Sequence, residues 1–535
     1  MSSSSPSTRR LFLWLTVLIS ILVLWPSHNF QDFLAPGDHG RDLYAGQAIL
    51  RGESPYRDFW WVYGPLMPYY FAGLYKILGI HITTLIFGKL LLKVAAAVFI
   101  YLALSRAFSP LAAFCAAIWF AVFHQDFFFT YNHIGGIALI MAIAWGLCTY
   151  IQKPGLNIAF GALGSVLILC LIKINFGLAA AAVLGITVAA VDYRYKISFA
   201  TGKKIFYVSL ILGLPLLLYA IYASMLHGLT LMEIRQCLPY WGDDQPYNTS
   251  PWIALQSFAA ITWKTMHANW MNVSFAVILW GSMGWTLWLW IKGNIQGRER
   301  LILGITVGVF SLFYAANFHE FIKSGVWYRC FWAQPFSMML SFILIDTATR
   351  HAPRLLRSIV FAFVLFMAAM SWLSSTQHLE TRKNPTQAFD LDGQRVYLGN
   401  QNTWIQTVAQ TTAFLKKNLS ADELFFAMPY DCLYYYLTGK KSPTRQLIFF
   451  DHIKIPTEQE QSVIGELEAH HVNYVVISNR AWARLEPGLG MFGQSYCPLL
   501  AQYIKTNFTP VARFGDWSQE PGWAWNHGTL ILKRK

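Results

Sequence analysis

The carboxylates with the most chemical promise in this chain lie in one long loop, about 28–82, which carries Asp32, Asp38, Asp42, Glu53 and Asp58. Tyr44/Ala48 and Ala45/Ile49 fall at i,i+4 spacing, so 39–51 reads as a short amphipathic helix at a membrane surface, with Asp38 at its start. There a carboxylate can cap the backbone N–H groups of the first turn, and it can also act as a general base. Ionised near neutrality, it would take a proton from an incoming hydroxyl. Asp42 and Asp58 stand beside Arg41 and Arg57 and read as their ion-pair partners in a solvated loop. Arg57, and Lys323 and Arg329 in the run HEFIKSGVWYRCFWAQP, are cations that would stabilise negative charge developing opposite such a base. Lys89 and Lys93 form an i,i+4 pair inside an apolar run, on one helical face. Intramembrane charge is costly and faces a cavity or a partner. Lys89, near the end of its run, has two readings: an anion ligand, or a lysine that snorkels or pairs within the bundle.

The elements that must position these groups follow from composition. The chain has 535 residues, 55% hydrophobic and 13% charged, against about a quarter charged in soluble domains. Eleven apolar runs are long enough to read as membrane spans: 11–27, 83–104, 109–123, 135–151, 156–172, 176–192, 205–225, 272–291, 301–317, 331–347 and 358–375. The first has the basic start of a signal peptide, but no small-residue cleavage site follows it, so it reads as an uncleaved anchor. In a soluble chain the net charge of +14 would suggest nucleic acid. Here the basic residues sort by side instead. With the N-terminus cytoplasmic, the six inner segments, about 51 residues, hold 14 Lys and Arg, while about 128 residues of outer loops hold only 9. That bias has the sign of the positive-inside rule, implies an integral membrane protein and removes the nucleic-acid partner. An odd number of spans places 376–535 outside.

That last segment holds no long apolar run. Short apolar strands (424–428, 472–478, 529–533) alternate in it with polar helical stretches (402–418, 457–470, 495–506), the pattern of a small α/β domain. Two domains are therefore expected: a membrane module, 1–375, including the loop 28–82, and an extracytoplasmic soluble domain, 376–535. Cys432 and Cys497 share the latter, and spacing alone leaves their pairing open. No CxxC or HExxH motif occurs, so a divalent metal has no clear motif to support it and no cofactor is assigned. The GxGxxG match at Gly488–Gly493 follows its nearest strand only after a loop of about ten residues, with no phosphate-binding helix evident, and is not read as dinucleotide binding.

The first loop resembles a family. Asp38, Gly40, Ala45, Ile49, Leu50, Gly52, Pro55, Tyr56, Arg57, Asp58 and Phe59 form a run similar to the first outer loop of GT-C glycosyltransferases, in the branch of protein O-mannosyltransferases and the lipid A aminoarabinose transferase (ArnT-like). Tyr434-Tyr435-Tyr436-Leu437-Thr438-Gly439 and Val472-Asn473-Tyr474-Val475-Val476 resemble its C-terminal end. The resemblance implies a polytopic helical membrane enzyme with an outer α/β domain. Such an enzyme moves a sugar, with inversion, from a polyprenyl-phosphate carrier to a hydroxyl of a lipid, glycan or protein. An acidic residue of the first loop, here Asp38, is the base. A phosphate monoester is a good leaving group, so positive charge near it suffices and no acid is required.

The chain also departs from the family pattern. Asp38-His39 stands where relatives often carry Asp-Glu, leaving His39 to face the acceptor. Tyr63-Gly64-Pro65 replaces the Glu-Lys-Pro of the aminoarabinose branch, removing a phosphate-binding lysine, so aminoarabinose specificity is not carried over. In the second outer loop Asp126 can supply the further acid found in relatives, while Asn132-His133 lies nearer the motif's usual place. Expected substrate-binding residues are thus His39, Arg57, Tyr63, Lys89, Asp126, His133, Lys323 and Arg329. The expected location is a bacterial inner membrane, N-terminus cytoplasmic and C-terminal domain periplasmic. The competing class, a transporter or flippase of a lipid-linked sugar, predicts inverted repeats or several midplane charges. The chain shows no repeat and concentrates its acids in outer loops, which favours the enzyme.

Overall fold

The computed structural model describes residues 5–27, 37–123, 131–195, 201–237, 250–267, 270–324, 329, 332–376, 388–391, 394–397, 404–484, 488–518, 520–521 and 527–535. The first helices are α1 (Pro6–Ser27), α2 (Asp38–Leu50), α3 (Leu66–Leu78), α4 (Ile82–Ala107), α5 (Pro110–Phe123), α6 (Tyr131–Gln152), α7 (Leu156–Ile172) and α8 (Ile174–Tyr195). Next come α9 (Thr201–Val208), a π-helical turn (Ser209–Gly213), α10 (Leu214–Met225), α11 (Leu231–Cys237) and α12 (Pro251–His267). Then follow α13 (Trp270–Ile291), α14 (Gly297–Ser324), α15 (Gln334–Arg350) and α16 (Arg354–Thr376). The C-terminal part runs β1 (Ala388–Leu391), β2 (Gln394–Tyr397), α17 (Trp404–Asn418), β3 (Phe425–Met428) and α18 (Leu433–Thr438). It ends with α19 (Thr457–Ala469), β4 (Tyr474–Ser478), α20 (Pro498–Asn507), β5 (Phe508–Gly515) and β6 (Gly528–Arg534).

Each of the eleven apolar runs falls on a helix. Among the described residues eight helical segments are long and apolar enough to cross a membrane, and α5 and α7 are shorter apolar helices. The eleventh, α15, is 17 residues long and mostly buried in protein. The chain is an integral membrane protein of helical class with a small C-terminal sheet, as the sequence leads one to expect.

Two compact units divide the chain. The first comprises 1–28, 89–220 and 248–377, the second 29–88, 221–247 and 378–535. In the first unit large apolar side chains such as Trp14, Ile211, Trp263 and Trp280 point outward, as a lipid-facing surface requires. Close approach inside the bundle depends on small residues: a Cβ on Gly177 of α8 would lie 2.6 Å from the Cys170 backbone nitrogen of α7. Helix ends are tied by buried ion pairs. Asp346 accepts from Ser109 Oγ at 2.6 Å, Arg350 Nη2 at 2.7 Å and Arg357 Nη2 at 3.0 Å, and Asp192 pairs with Lys203 at 2.5 Å. Some of the basic residues that bias the inner segments thus also lock helices together.

The second unit is built on a four-stranded sheet of order β3-β4-β6-β5, parallel between β3 and β4 and antiparallel elsewhere. The runs FFAM and YVVIS of β3 and β4 are buried throughout, the continuous apolar pattern of strands covered on both faces. Phe426, Val475 and Ile477 pack there against Leu467 of α19 and Leu500 and Ile504 of α20. β5 is an exposed edge interrupted near Pro510, where a missing N–H does least harm. Cys432 and Cys497 are free buried thiols.

The first loop belongs to this second unit. Its α2 packs along α18: Gln47 Nε2 donates to the Tyr436 carbonyl at 3.3 Å, and Tyr44 Oη accepts from the Ser442 backbone N–H at 3.1 Å. Arg445 joins three segments, donating to the Tyr56 carbonyl at 3.1 Å and to Glu233 of α11 at 2.8 Å, while its own carbonyl accepts from the Trp60 N–H at 2.8 Å. The helix expected over 39–51 is present, but its environment differs from expectation. Residues 39–48 are all buried, so α2 is enclosed by protein on every face rather than exposing a polar stripe.

Candidate functional site

Asp38 is the first residue of α2, after Gly37 at the cap position, and its carboxylate makes no capping bond to the first turn. Instead Oδ1 accepts from Tyr430 Oη at 3.0 Å and from Arg41 Nη1 at 3.5 Å, one helical turn on. Arg41 is buried and also donates through Nε and Nη2 to Asp42 Oδ1, at 3.0 and 2.7 Å, and through Nη1 to Tyr430 Oη at 3.0 Å. Its guanidinium lies 4.9 Å from the Trp61 ring centre and 5.1 Å from that of Tyr63, a cation–π arrangement. Burial opposes the charge, but Asp42, Tyr430 and Asp38 outweigh it and hold Arg41 above the ordinary guanidinium range. Asp38 itself keeps a quarter of its side chain exposed, whereas Asp42 has none. The arrangement is therefore a buried Arg41–Asp42 pair that anchors one oxygen of an accessible carboxylate. Among the described residues no hydrogen bond reaches Asp38 Oδ2.

The backbone permits this closeness through two glycines. A Cβ on Gly37 would sit 2.5 Å from Tyr430 Cδ1, and one on Gly40 would sit 2.5 Å from the Leu433 backbone nitrogen. The second clash is with main chain at the start of α18, which cannot rotate away. Gly40→Ala is therefore expected to destabilise the protein by about 1–3 kcal/mol, the usual cost of overpacking. It should lower the thermal midpoint in detergent; an unchanged midpoint would mean that α2 does not dock this tightly.

The first unit holds a cationic group around the start of α6. Lys173 is a one-residue extended joint between α7 and α8, with φ −153° and ψ 104°. Its Nζ, on a residue 2% exposed, lies within hydrogen-bonding distance of His133 Nε2, at 2.8 Å. It lies 4.0 Å from the Phe176 ring centre and 4.8 Å from that of Trp332. His133 packs on Trp332 with ring centres 3.9 Å apart, and Arg329 lies 5.3 Å from that same ring. Between Tyr131 and His133, the buried Asn132 has neither amide atom hydrogen-bonded among the described residues. Lys89 Nζ is 5.9 Å from the Tyr131 ring centre. Positive charge, the α6 N-terminus and an amide with spare capacity favour an anion here.

The expected site residues distribute as follows. Asp38 and Tyr63 meet around Arg41 in the second unit, with His39 buried beside them in sequence. Arg57 is exposed and bound to Asp58 at 2.8 Å, the pairing its neighbour suggests. Lys89, His133 and Arg329 gather at the α6 end in the first unit. Asp126 lies outside the described residues, and Lys323 is on α14 with its side chain outside them. Sequence reasoning paired Arg41 with Asp42 but placed the pair in solvent; both are buried. Two residues were missed. Lys173 was legible as a lone lysine in the short joint between two apolar runs, and Tyr430 carried no local signal. Among the described residues no group of three His, Cys, Asp or Glu could hold a metal.

The sequence matches no protein-family model and no curated protein. Its fold is similar to the crystal structure of ArnT from Cupriavidus metallidurans in the apo state, with TM-score 0.56 and 12% identity, covering 98% of each chain. Arabinofuranosyltransferase AftD from Mycobacteria follows at TM-score 0.47 and 13% identity, over 99% of this chain and 42% of that one. The apo oligosaccharyltransferase of Archaeoglobus fulgidus gives 0.42 and 13%, over 90% and 71%. The ArnT likeness extends over the whole length, so the chain has the ArnT-like, GT-C type of fold that the first loop implied.

Proposed function

We propose that this protein is an inverting membrane glycosyltransferase that moves a sugar from a polyprenyl-phosphate carrier to an acceptor hydroxyl on a lipid, glycan or protein. The observation that carries this reading is the Asp38 carboxylate, partly exposed and held through one oxygen by Arg41 and Tyr430. Asp38 takes the acceptor's proton as the acceptor oxygen bonds to the anomeric carbon. The bond from that carbon to the phosphate oxygen breaks, and its electron pair leaves with the polyprenyl phosphate. Lys173, Lys89, His133 and Arg329 neutralise that phosphate, a task for which donors fixed in a low-dielectric site are far better suited than water. Tyr63 supports the base through Arg41, and His39 serves the acceptor.

Orientation follows from the charge bias: N-terminus cytoplasmic, with Asp38 and the domain 376–535 on the periplasmic side of a bacterial inner membrane. The test is a mass-spectrometric comparison of glycolipids and glycans with and without the gene. Loss of the protein should cause a polyprenyl-phosphate sugar to accumulate and one glycan or glycolipid to lose a sugar. Unchanged profiles of both would overturn the reading.

A further inference from the structure

The C-terminal segment reaches the Asp38 carboxylate through one side chain. Tyr430 follows β3 by two residues and is 2% exposed, and its ring meets Trp60 and Phe450 edge-on at 6.1 and 6.4 Å between centres. Gly37 leaves no space between that ring and the start of α2. The phenol is thus held by packing from both sequence regions of one compact unit, and the hydroxyl has little freedom of place.

The direction of its hydrogen bonds is settled by donor arithmetic. A guanidinium has only donors, so Arg41 Nη1 must donate and Tyr430 Oη must accept. The phenol has a single proton, which then goes to Asp38 Oδ1. Burial, then Asp38, push the phenol above its ordinary range despite the opposing effect of Arg41, so it keeps that proton at neutral pH. The relay runs one way, from Asp42-anchored Arg41 through Tyr430 to Asp38. It fixes which carboxylate oxygen is occupied and which is presented.

We infer that Tyr430, supplied by the C-terminal segment some 392 residues from Asp38, is a positioning residue for this carboxylate. It holds Oδ1 so that Oδ2 faces the acceptor hydroxyl, and it makes the C-terminal segment part of the catalytic apparatus. The inference rests on the reading of Asp38 as base. General-base catalysis tolerates little misplacement of the base, so losing the anchor should affect turnover rather than donor binding.

The experiment uses the full chain in native membranes, which supply the acceptor. It follows release of polyprenyl phosphate from the polyprenyl-phosphate-linked hexose or pentose that the wild type consumes. Tyr430→Phe keeps the ring and its packing and removes only the donor. Its kcat should fall about 10- to 100-fold, the usual range for a hydrogen bond to a charged group, with the donor KM within about twofold. Wild-type kcat in Tyr430→Phe, with kcat of Asp38→Asn lowered at least about 100-fold, overturns the positioning role and leaves the base reading standing. Wild-type turnover in Asp38→Asn overturns both. If the Phe protein does not fold, Tyr430→Gln and Tyr430→Leu replace it, being alike in size and different in donor capacity. Higher kcat in Gln than in Leu supports positioning, and equal kcat overturns it.

Discussion

On the proposed reading, Asp38→Asn is expected to lower sugar transfer by about 10²- to 10⁴-fold, the span that a positioned general base contributes, without loss of folded protein. The amide is isosteric with the carboxylate and its oxygen can still accept from Tyr430 and Arg41, so the start of α2 keeps its place against α18. What disappears is the capacity to take a proton. If the cations of the α6 end hold the donor phosphate, as proposed, the donor KM should change little, and the loss should appear in kcat. The assay is release of polyprenyl phosphate at saturating donor, with the thermal midpoint measured on the same preparation. Wild-type turnover in this variant would remove Asp38 as base.

Lys173→Met is expected to act on the donor side of the proposed reaction. Methionine matches the length and apolar stem of lysine and makes favourable contacts with rings such as Phe176 and Trp332, so the joint between α7 and α8 should survive. The charge does not. Removing one member of a desolvated charge pair costs about 2–5 kcal/mol, so donor affinity should fall about 30-fold or more. This would be read from the donor KM or from direct binding of polyprenyl phosphate. The acceptor KM should stay near its wild-type value. A variant with unchanged donor affinity would show Lys173 to be a structural lysine, and the anion reading of the α6 end would fall with it.

Local pattern made much of the architecture legible. The apolar runs of the membrane helices are too long and too apolar to belong elsewhere. In the C-terminal part, FFAM and YVVIS read as strands because β-branched and aromatic residues cluster between turn residues. β5 escaped because Pro510 and Arg513 interrupt any apolar pattern, as an exposed edge permits. The i,i+4 pairs of 39–51 announced a helix but not its surroundings. An amphipathic stripe tells which face is apolar, and the burial of the polar face by α18 and its flanking turn is a nonlocal event. The same limit applied to Arg41 and Asp42: adjacency predicts the pair, whereas its removal from water depends on Trp61, Tyr63 and Tyr430.

By itself, then, the sequence determined the membrane class, the apolar runs that became helices, the sign of the charge bias and three of the four strands of the C-terminal sheet, β3, β4 and β6. Each of these depends on composition or on spacing within a few residues, where the chain's own geometry decides. Only the tertiary structure decided which oxygen of Asp38 is engaged, that Tyr430 engages it, and that Lys173 and His133 share a buried contact. Those depend on residues brought together across up to 392 positions. Small residues such as Gly37, Gly40 and Gly177 let the backbones approach, and no local periodicity records where a distant side chain will arrive.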